Sequence, residues 1–130
     1  MKSMRALKLF VVDDMATSRG LITQALDEIG LANYETEADP RVALQAILRN
    51  PVHLVLSDFN MPGMSGLQLL EQLRRTPATK NIGFILITGR PSPEIVAEAQ
   101  RLKLNNLIKK PFTADAMRKC IEAVTGPLAA

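Results

Sequence analysis

The feature that most restricts how this chain can fold is a set of short, densely apolar runs. The segments "ALKLFVVD", "VHLVLSD" and "GFILIT" are too short to be helices of ordinary length, and the last is apolar without alternation. Strands of that kind are buried on both faces, as in a parallel sheet covered by helices. Helical patterns separate them. "SRGLITQALDEIG" sets Leu21, Ile22, Ala25, Leu26 and Ile29 on one face and stops at Gly30. Asp39-Pro40 opens a second helix with an N-cap and a first-turn proline, and its apolar positions are Ala43, Leu44, Ile47 and Leu48. Ser65 and Gln68 form a capping-box pair ahead of Leu69, Leu70 and Leu73. Ser92-Pro93 begins a fourth helix, and Thr113 caps a fifth that ends near Gly126. The short segments "YETEA" and "NNLIK" complete five strand-helix units, which predict an open α/β parallel sheet with helices on both faces.

Bulk composition narrows the function classes. The 130 residues are 47% hydrophobic and 22% charged, ordinary values for one globular domain, expected over residues 1–130. No apolar run approaches the ~20 residues of a membrane helix, and "MKSMRALKLF" lacks the apolar core of a signal peptide. A cytoplasmic protein is expected, and the single Cys120 agrees with a reducing compartment. The net charge of +3 is scattered, and aromatics are only 4%, so no nucleic-acid platform and no membrane contact are expected.

Open parallel sheets bind ligands beyond the carboxyl ends of their strands. There the sequence delivers Asp13 and Asp14 from the first strand, Asp58 from the third, Thr88 from the fourth and Lys110 from the fifth. Singly, each has a plain explanation: a helix cap, a turn former, a strand-compatible Thr, a solvated Lys. Together they do not. Two carboxylates ~4 Å apart repel by ~4 kcal/mol at an effective dielectric of ~20, and Lys110 alone cannot balance three. A hard divalent cation with oxygen ligands does, Mg²⁺ before Ca²⁺, because no loop offers the six to eight oxygens calcium usually takes. Beside a metal, the carboxylate of Asp58 is a nucleophile for phosphorus that forms an acyl phosphate, with Lys110 and the Thr88 hydroxyl holding phosphoryl oxygens. Gly89, next to Thr88, leaves the approach uncrowded.

At these residues the chain resembles the response-regulator receiver domains of two-component signalling, and is most similar to their single-domain chemotaxis members. "VVDD", "LSDFNMPGMSG", "ITGR" and "IKKPFT" occur in family order over about residues 6 to 126. The resemblance implies a flavodoxin-like doubly wound sheet of order 2-1-3-4-5 with five helices. It implies a phosphoacceptor at Asp58, and metal ligands from Asp13, Asp14, Asp58 and the Asn60 main-chain carbonyl. It further implies phosphate contacts from Thr88, Gly89 and Lys110 and a cis bond between Lys110 and Pro111. Mg²⁺ is the implied cofactor, with Mn²⁺ able to substitute. The implied donor is a histidine kinase or phosphotransfer protein, and the implied target a protein such as a flagellar motor component. Asn60 and Arg90 flank the route of the attacking water and are expected to tune the phosphoryl lifetime. His53, at the other end of the third strand, is expected to be structural.

The chain departs from the family at the switch position, where Leu107 stands in place of Tyr or Phe, and in "LKLNN", where a Gly-Ala pair is common. With only "LAA" after Pro127, no output domain is expected, and output is expected through a partner face carrying Arg90, Arg101, Lys103 and Lys109. A solvated basic rim is the plain alternative. Three rival functions remain. The first is an Asp-nucleophile phosphatase, which normally carries a second Asp where this chain has Asn60. The second is a flavin carrier, whose phosphate loop the acidic "DDMATSRG" does not resemble. The third is a receiver-fold scaffold or phosphate sink. The reading drawn from the residues is a signalling phosphoacceptor that catalyses only its own phosphorylation and dephosphorylation, not an enzyme.

Overall fold

The structure, a computed structural model, describes residues 2–129. Five strands form the main sheet: β2 (Leu9–Val12), β3 (Tyr34–Glu37), β4 (Leu54–Asp58), β5 (Gly83–Thr88) and β6 (Asn106–Lys109). All pairings are parallel in the spatial order β3-β2-β4-β5-β6. Counted within the sheet, this is the expected 2-1-3-4-5. The crossovers contain α1 (Ala16–Ile29), α2 (Pro40–Arg49), α3 (Gly66–Arg75) and α4 (Pro93–Arg101), and α5 (Ala114–Thr125) follows β6.

Successive strand residues point to opposite faces, and the core divides accordingly. Leu9, Val11, Leu54, Leu56, Ile85 and Ile87 pack under α1 and α5. Phe10, Val12, Val55, Phe84 and Leu86 pack under α2, α3 and α4. The helix ends obey local chemistry. The Asp39 side chain accepts from the Arg41 N–H ahead of Pro40, Ser65 and Gln68 form a reciprocal capping box, and Ser92 and Thr113 cap α4 and α5. Gly30 ends α1 in the left-handed region at φ 104°, where glycine avoids the Cβ penalty.

Two features depart from the sequence reading. Leu21, expected on the buried face of α1, is 57% exposed; the face in contact with the sheet is Ile22, Ala25, Leu26 and Ile29. The chain ends, outside the receiver-like stretch, also pair: β1 (Lys2–Ser3) and β7 (Leu128–Ala129) form a separate two-stranded parallel sheet. Leu128 is buried in the core beneath it, with Met4 packed alongside. Among the described residues, no helix is long and apolar enough to cross a membrane.

Candidate functional site

The sheet reverses direction at β2, since α1 leads outward to β3 and α2 returns the chain to β4 on the other side. Register then determines what meets at this switch point. Val12 pairs with Ser57 and Asp58 with Ile87, so Asp13 and Asp58 emerge side by side beyond β2 and β4. Thr88 ends β5 and pairs with Lys109, so Lys110 leaves the adjacent strand end, its N–H bonded to the Thr88 carbonyl at 2.9 Å. Asp14, Asp58, Asn60, Thr88, Gly89, Arg90 and Lys110 line one open cleft of ≈ 710 Å³. Asp13 is fully buried.

Asp13, Asp14 and Asp58 each turn one carboxylate oxygen to a common point, these oxygens lying within 4.8 Å of one another. Asp13 is fixed by protein donors on both oxygens: the Met15 N–H at 3.0 Å on Oδ1, and the Ser18 hydroxyl on Oδ2. It therefore holds the turn into α1, although the N-cap position itself is Met15, with no side-chain cap bond. Asp14 differs, because its buried Oδ1 has no hydrogen-bond partner among the described residues. Buried acceptors are almost always satisfied, so this orphan lone pair beside two other carboxylates is what a cation site presents. The donor set is entirely oxygen and suits a hard divalent ion.

Asp58 is 6% exposed. Burial pushes its carboxyl above the usual range, and the neighbouring Asp13 charge adds to the rise; the Lys110 ammonium and the Asn60 backbone N–H oppose it. Lys110 Nζ lies 2.5 Å from Asp58 Oδ1. The Thr88 hydroxyl oxygen accepts from the Arg90 N–H at 3.2 Å, which leaves its proton available to an incoming oxygen. The peptide between Lys110 and Pro111 is cis.

A Cβ on Gly89 would meet no protein atom within 4 Å, so packing does not demand glycine there. Gly66 is the glycine that space requires. A Cβ there would lie 2.7 Å from Leu86 Cδ1 and closer still to the carbonyl oxygen of Asp58. Arg101, expected on a basic partner face, is exposed and ion-paired, with Glu98 at 2.6 Å and Glu71 at 3.6 Å. Lys119 is similarly paired with Asp115. Among the described residues Arg90, Lys103 and Lys109 take part in no ion pair. Leu107 is half-buried against the cluster that contains Ala99 and Leu102. His53 Nδ1 accepts from the Lys8 N–H at 2.9 Å at the opposite end of the sheet, a structural role.

Two groups of residues were not legible from sequence. Ser18 joins Asp13 to Lys110, yet no periodic pattern links positions 13, 18 and 110. Asn105 Oδ1 accepts from the Phe84 N–H and the Asn106 side chain donates to the Cys120 carbonyl, anchoring the start of β6.

A carboxylate cluster and an invading lysine at the switch point of this sheet define a receiver domain, and the response regulator receiver domain family matches residues 9–122. The chain belongs to that family. Its relatives include a probable chemotaxis protein CheY of Rhizobium etli, 39% identical over 94% of this chain and 95% of that one. Chemotaxis protein CheY-3 of Vibrio cholerae is 30% identical over 91% of each chain. Among solved structures, Vibrio cholerae CheY4 superposes with a TM-score of 0.84 at 28% identity, covering 91% of this chain and 98% of that one. The receiver domain of the Pseudomonas aeruginosa sensor histidine kinase PA1611 was solved with magnesium coordinated in its active site cleft. At 17% identity, a TM-score of 0.83 and coverage of 93% and 98%, that likeness speaks for the fold.

Proposed function

We propose that this chain is a stand-alone response regulator that accepts a phosphoryl group on Asp58 in the presence of Mg²⁺ and signals by changing its affinity for a partner protein. One observation carries the reading: a buried Asp58, in contact with Lys110 at 2.5 Å, shares its site with Asp13 and with an Asp14 oxygen that has no protein partner. Asp13, Asp14 and Asp58, with the Asn60 carbonyl, would hold the cation. Bound there, Mg²⁺ supplies the positive charge that lets three carboxylates and a phosphoryl group share one site; Mn²⁺ would serve similarly.

The remaining chemistry falls to the chain itself. With Oδ1 held by Lys110, Asp58 attacks phosphorus through its other oxygen. An O–P bond forms as the P–N bond of a kinase phosphohistidine breaks, and the imidazole nitrogen keeps the electron pair. Lys110 and the Thr88 hydroxyl donate to the phosphoryl oxygens as charge builds on them. A protein donor has a surface to lie on beside Lys110: an apolar groove of ≈ 670 Å³ where exposed Leu21 faces Phe112. Arg90 lines the cleft over Asp58 and Thr88, and with Asn60 it would govern how water reaches the acyl phosphate. Arg90→Ala should change the dephosphorylation rate; an unchanged rate removes that role.

Phosphorylation adds ~1.5 to 2 negative charges at the strand rim. The α4–β6–α5 side, carrying Arg90, Lys103 and Lys109, suits an acidic partner segment, and the CheY relatives suggest a chemotaxis target such as a flagellar motor component in the cytoplasm. Leu107, already packed inward, cannot make an aromatic swing, which favours readout through packing of α4 and keeps a never-phosphorylated scaffold as the second reading. The test is intact-protein mass after incubation with Mg²⁺ and a small acyl phosphate or a phosphorylated histidine kinase. A single phosphoryl gain that needs both Mg²⁺ and Asp58, and is lost in Asp58→Asn, is expected. No gain from either donor would leave the scaffold.

A further inference from the structure

A hydroxyl stands between the two kinds of charge in this site. Ser18, in the first turn of α1, donates to Asp13 Oδ2 and accepts from Lys110 Nζ at 3.1 Å. Chemistry fixes those directions. An ammonium can only donate and an ionised carboxylate can only accept, so the single hydroxyl proton must point to Asp13. The result is a continuous polarised chain from Asp13 through Ser18 and Lys110 to Asp58 Oδ1.

The spacing along that chain matters. Lys110 forms its ion pair with Asp58, yet no carboxylate oxygen of Asp13 lies within 4.0 Å of Nζ. Asp13 and Asp58 nevertheless have oxygens within 4.8 Å of each other. An ammonium that close to two carboxylates would ordinarily bridge them. It does not here because the Ser18 hydroxyl occupies the Oδ2 position from which Asp13 would capture it, and offers Lys110 an uncharged acceptor instead.

We infer that Ser18 is a positioning residue that keeps Lys110 off Asp13 and so reserves the Asp13 carboxylate for the divalent cation. This rests on the reading that Asp13, Asp14 and Asp58 hold Mg²⁺. Without the hydroxyl, Lys110 loses one acceptor and Asp13 loses one donor, and the two are the nearest partners for each other. The ammonium then competes with Mg²⁺ for Asp13. Partners one step removed from a metal typically change its affinity by ~10–100-fold when lost.

The experiment is a Mg²⁺ titration by isothermal calorimetry, backed by amide chemical shifts, on wild type, Ser18→Ala, Ser18→Thr, Lys110→Ala and the double variant Ser18→Ala/Lys110→Ala. Alanine is a better helix former than serine, so Ser18→Ala should fold, and a far-UV melt verifies it. Ser18→Ala is expected to raise the Mg²⁺ Kd about tenfold, and Ser18→Thr, which keeps the hydroxyl, to restore it. In the Lys110→Ala background, where no ammonium competes, Ser18→Ala should leave the Kd nearly unchanged. A wild-type Kd in Ser18→Ala overturns the inference, as does the same loss in both backgrounds, which would mean that the hydroxyl acts on Asp13 alone. A wild-type protein that takes up no Mg²⁺ instead removes the cation reading, and this inference with it.

Discussion

Replacing Gly66 by alanine perturbs the phosphoacceptor strand through space rather than through charge. Gly66 opens α3 directly above the end of β4, and its N–H bonds the Phe59 carbonyl at 2.9 Å. A Cβ there would sit 2.7 Å from Leu86 Cδ1 and 3.2 Å from the carbonyl carbon of Asp58. Ordinary carbon contacts are ~3.5–4.0 Å, so the overlap approaches 1 Å on two sides. Neither neighbour yields easily: Leu86 is fully buried and Asp58 presents backbone. Overpacking of this kind costs about 1–3 kcal/mol, and the upper end applies where backbone must move. Loss of the Phe59 hydrogen bond adds ~1 kcal/mol, and the helix propensity of alanine returns up to ~1 kcal/mol. The expected net loss is about 3 kcal/mol. In urea, read by far-UV circular dichroism, it should lower the midpoint by roughly 1–2 M without changing the slope. The Asp58 carbonyl would shift with α3, so phosphoryl uptake should slow as well. Gly20→Ala, inside α1 with nothing within 4 Å of its Cβ, is the counter-case and should gain ~0.5–1 kcal/mol. A Gly66→Ala protein within 0.5 kcal/mol of wild type would refute the close-approach argument.

Further outcomes follow from the charges and the buried polar groups. Because the folded-state pKa of Asp58 lies above its unfolded value, the native state holds more protons between the two. Metal-free stability should therefore fall as pH rises from about 4 through the folded pKa, a slope that Asp58→Asn should flatten in chemical denaturation run from pH 4 to 8. Saturating Mg²⁺ should restore stability at neutral pH, by ~2.7 kcal/mol at a concentration 100 times Kd, and an unchanged melt would contradict the cation site. Burial pushes the Cys120 thiol up to about 11, so at pH 8 only about one thiol in a thousand is thiolate. An aromatic disulfide reagent should react with it only as fast as the protein opens, and immediate reaction in the native state would be contrary. Arg74 donates to the carbonyls of Lys80, Ile82, Leu102 and Lys103 and to Asn105 Oδ1. Arg74→Met should cost ~2 kcal/mol and raise amide exchange around residues 102–106; unaltered exchange there would show that the clamp is dispensable.

How much of this was legible in the chain follows from the range of the interactions involved. Strand and helix identity rests on patterns repeating every two or three to four residues, and caps such as Asp39, Ser65, Ser92 and Thr113 act within three residues of themselves. Both are written locally, so the sequence by itself determined the alternating elements, the covered parallel sheet and the arrival of Asp13, Asp14, Asp58, Thr88 and Lys110 at strand ends. What required the tertiary structure was set by distances between segments far apart in sequence. Periodicity alone put Leu21 in the core; α1 instead buries Ile22, Ala25, Leu26 and Ile29 and leaves Leu21 exposed. Arg101 read as an open cation until the approach of α3 and α4 gave it Glu71 in addition to its helical neighbour Glu98. The pairing of β1 with β7 joins the two ends of the chain through backbone groups that any residue possesses, so no composition announces it. Ser18 is an ordinary helix-opening serine until the cleft closes to within a hydrogen bond of Lys110, ninety-two positions away. Side-chain type records what a residue can donate, accept or bury; only the folded register decides with whom.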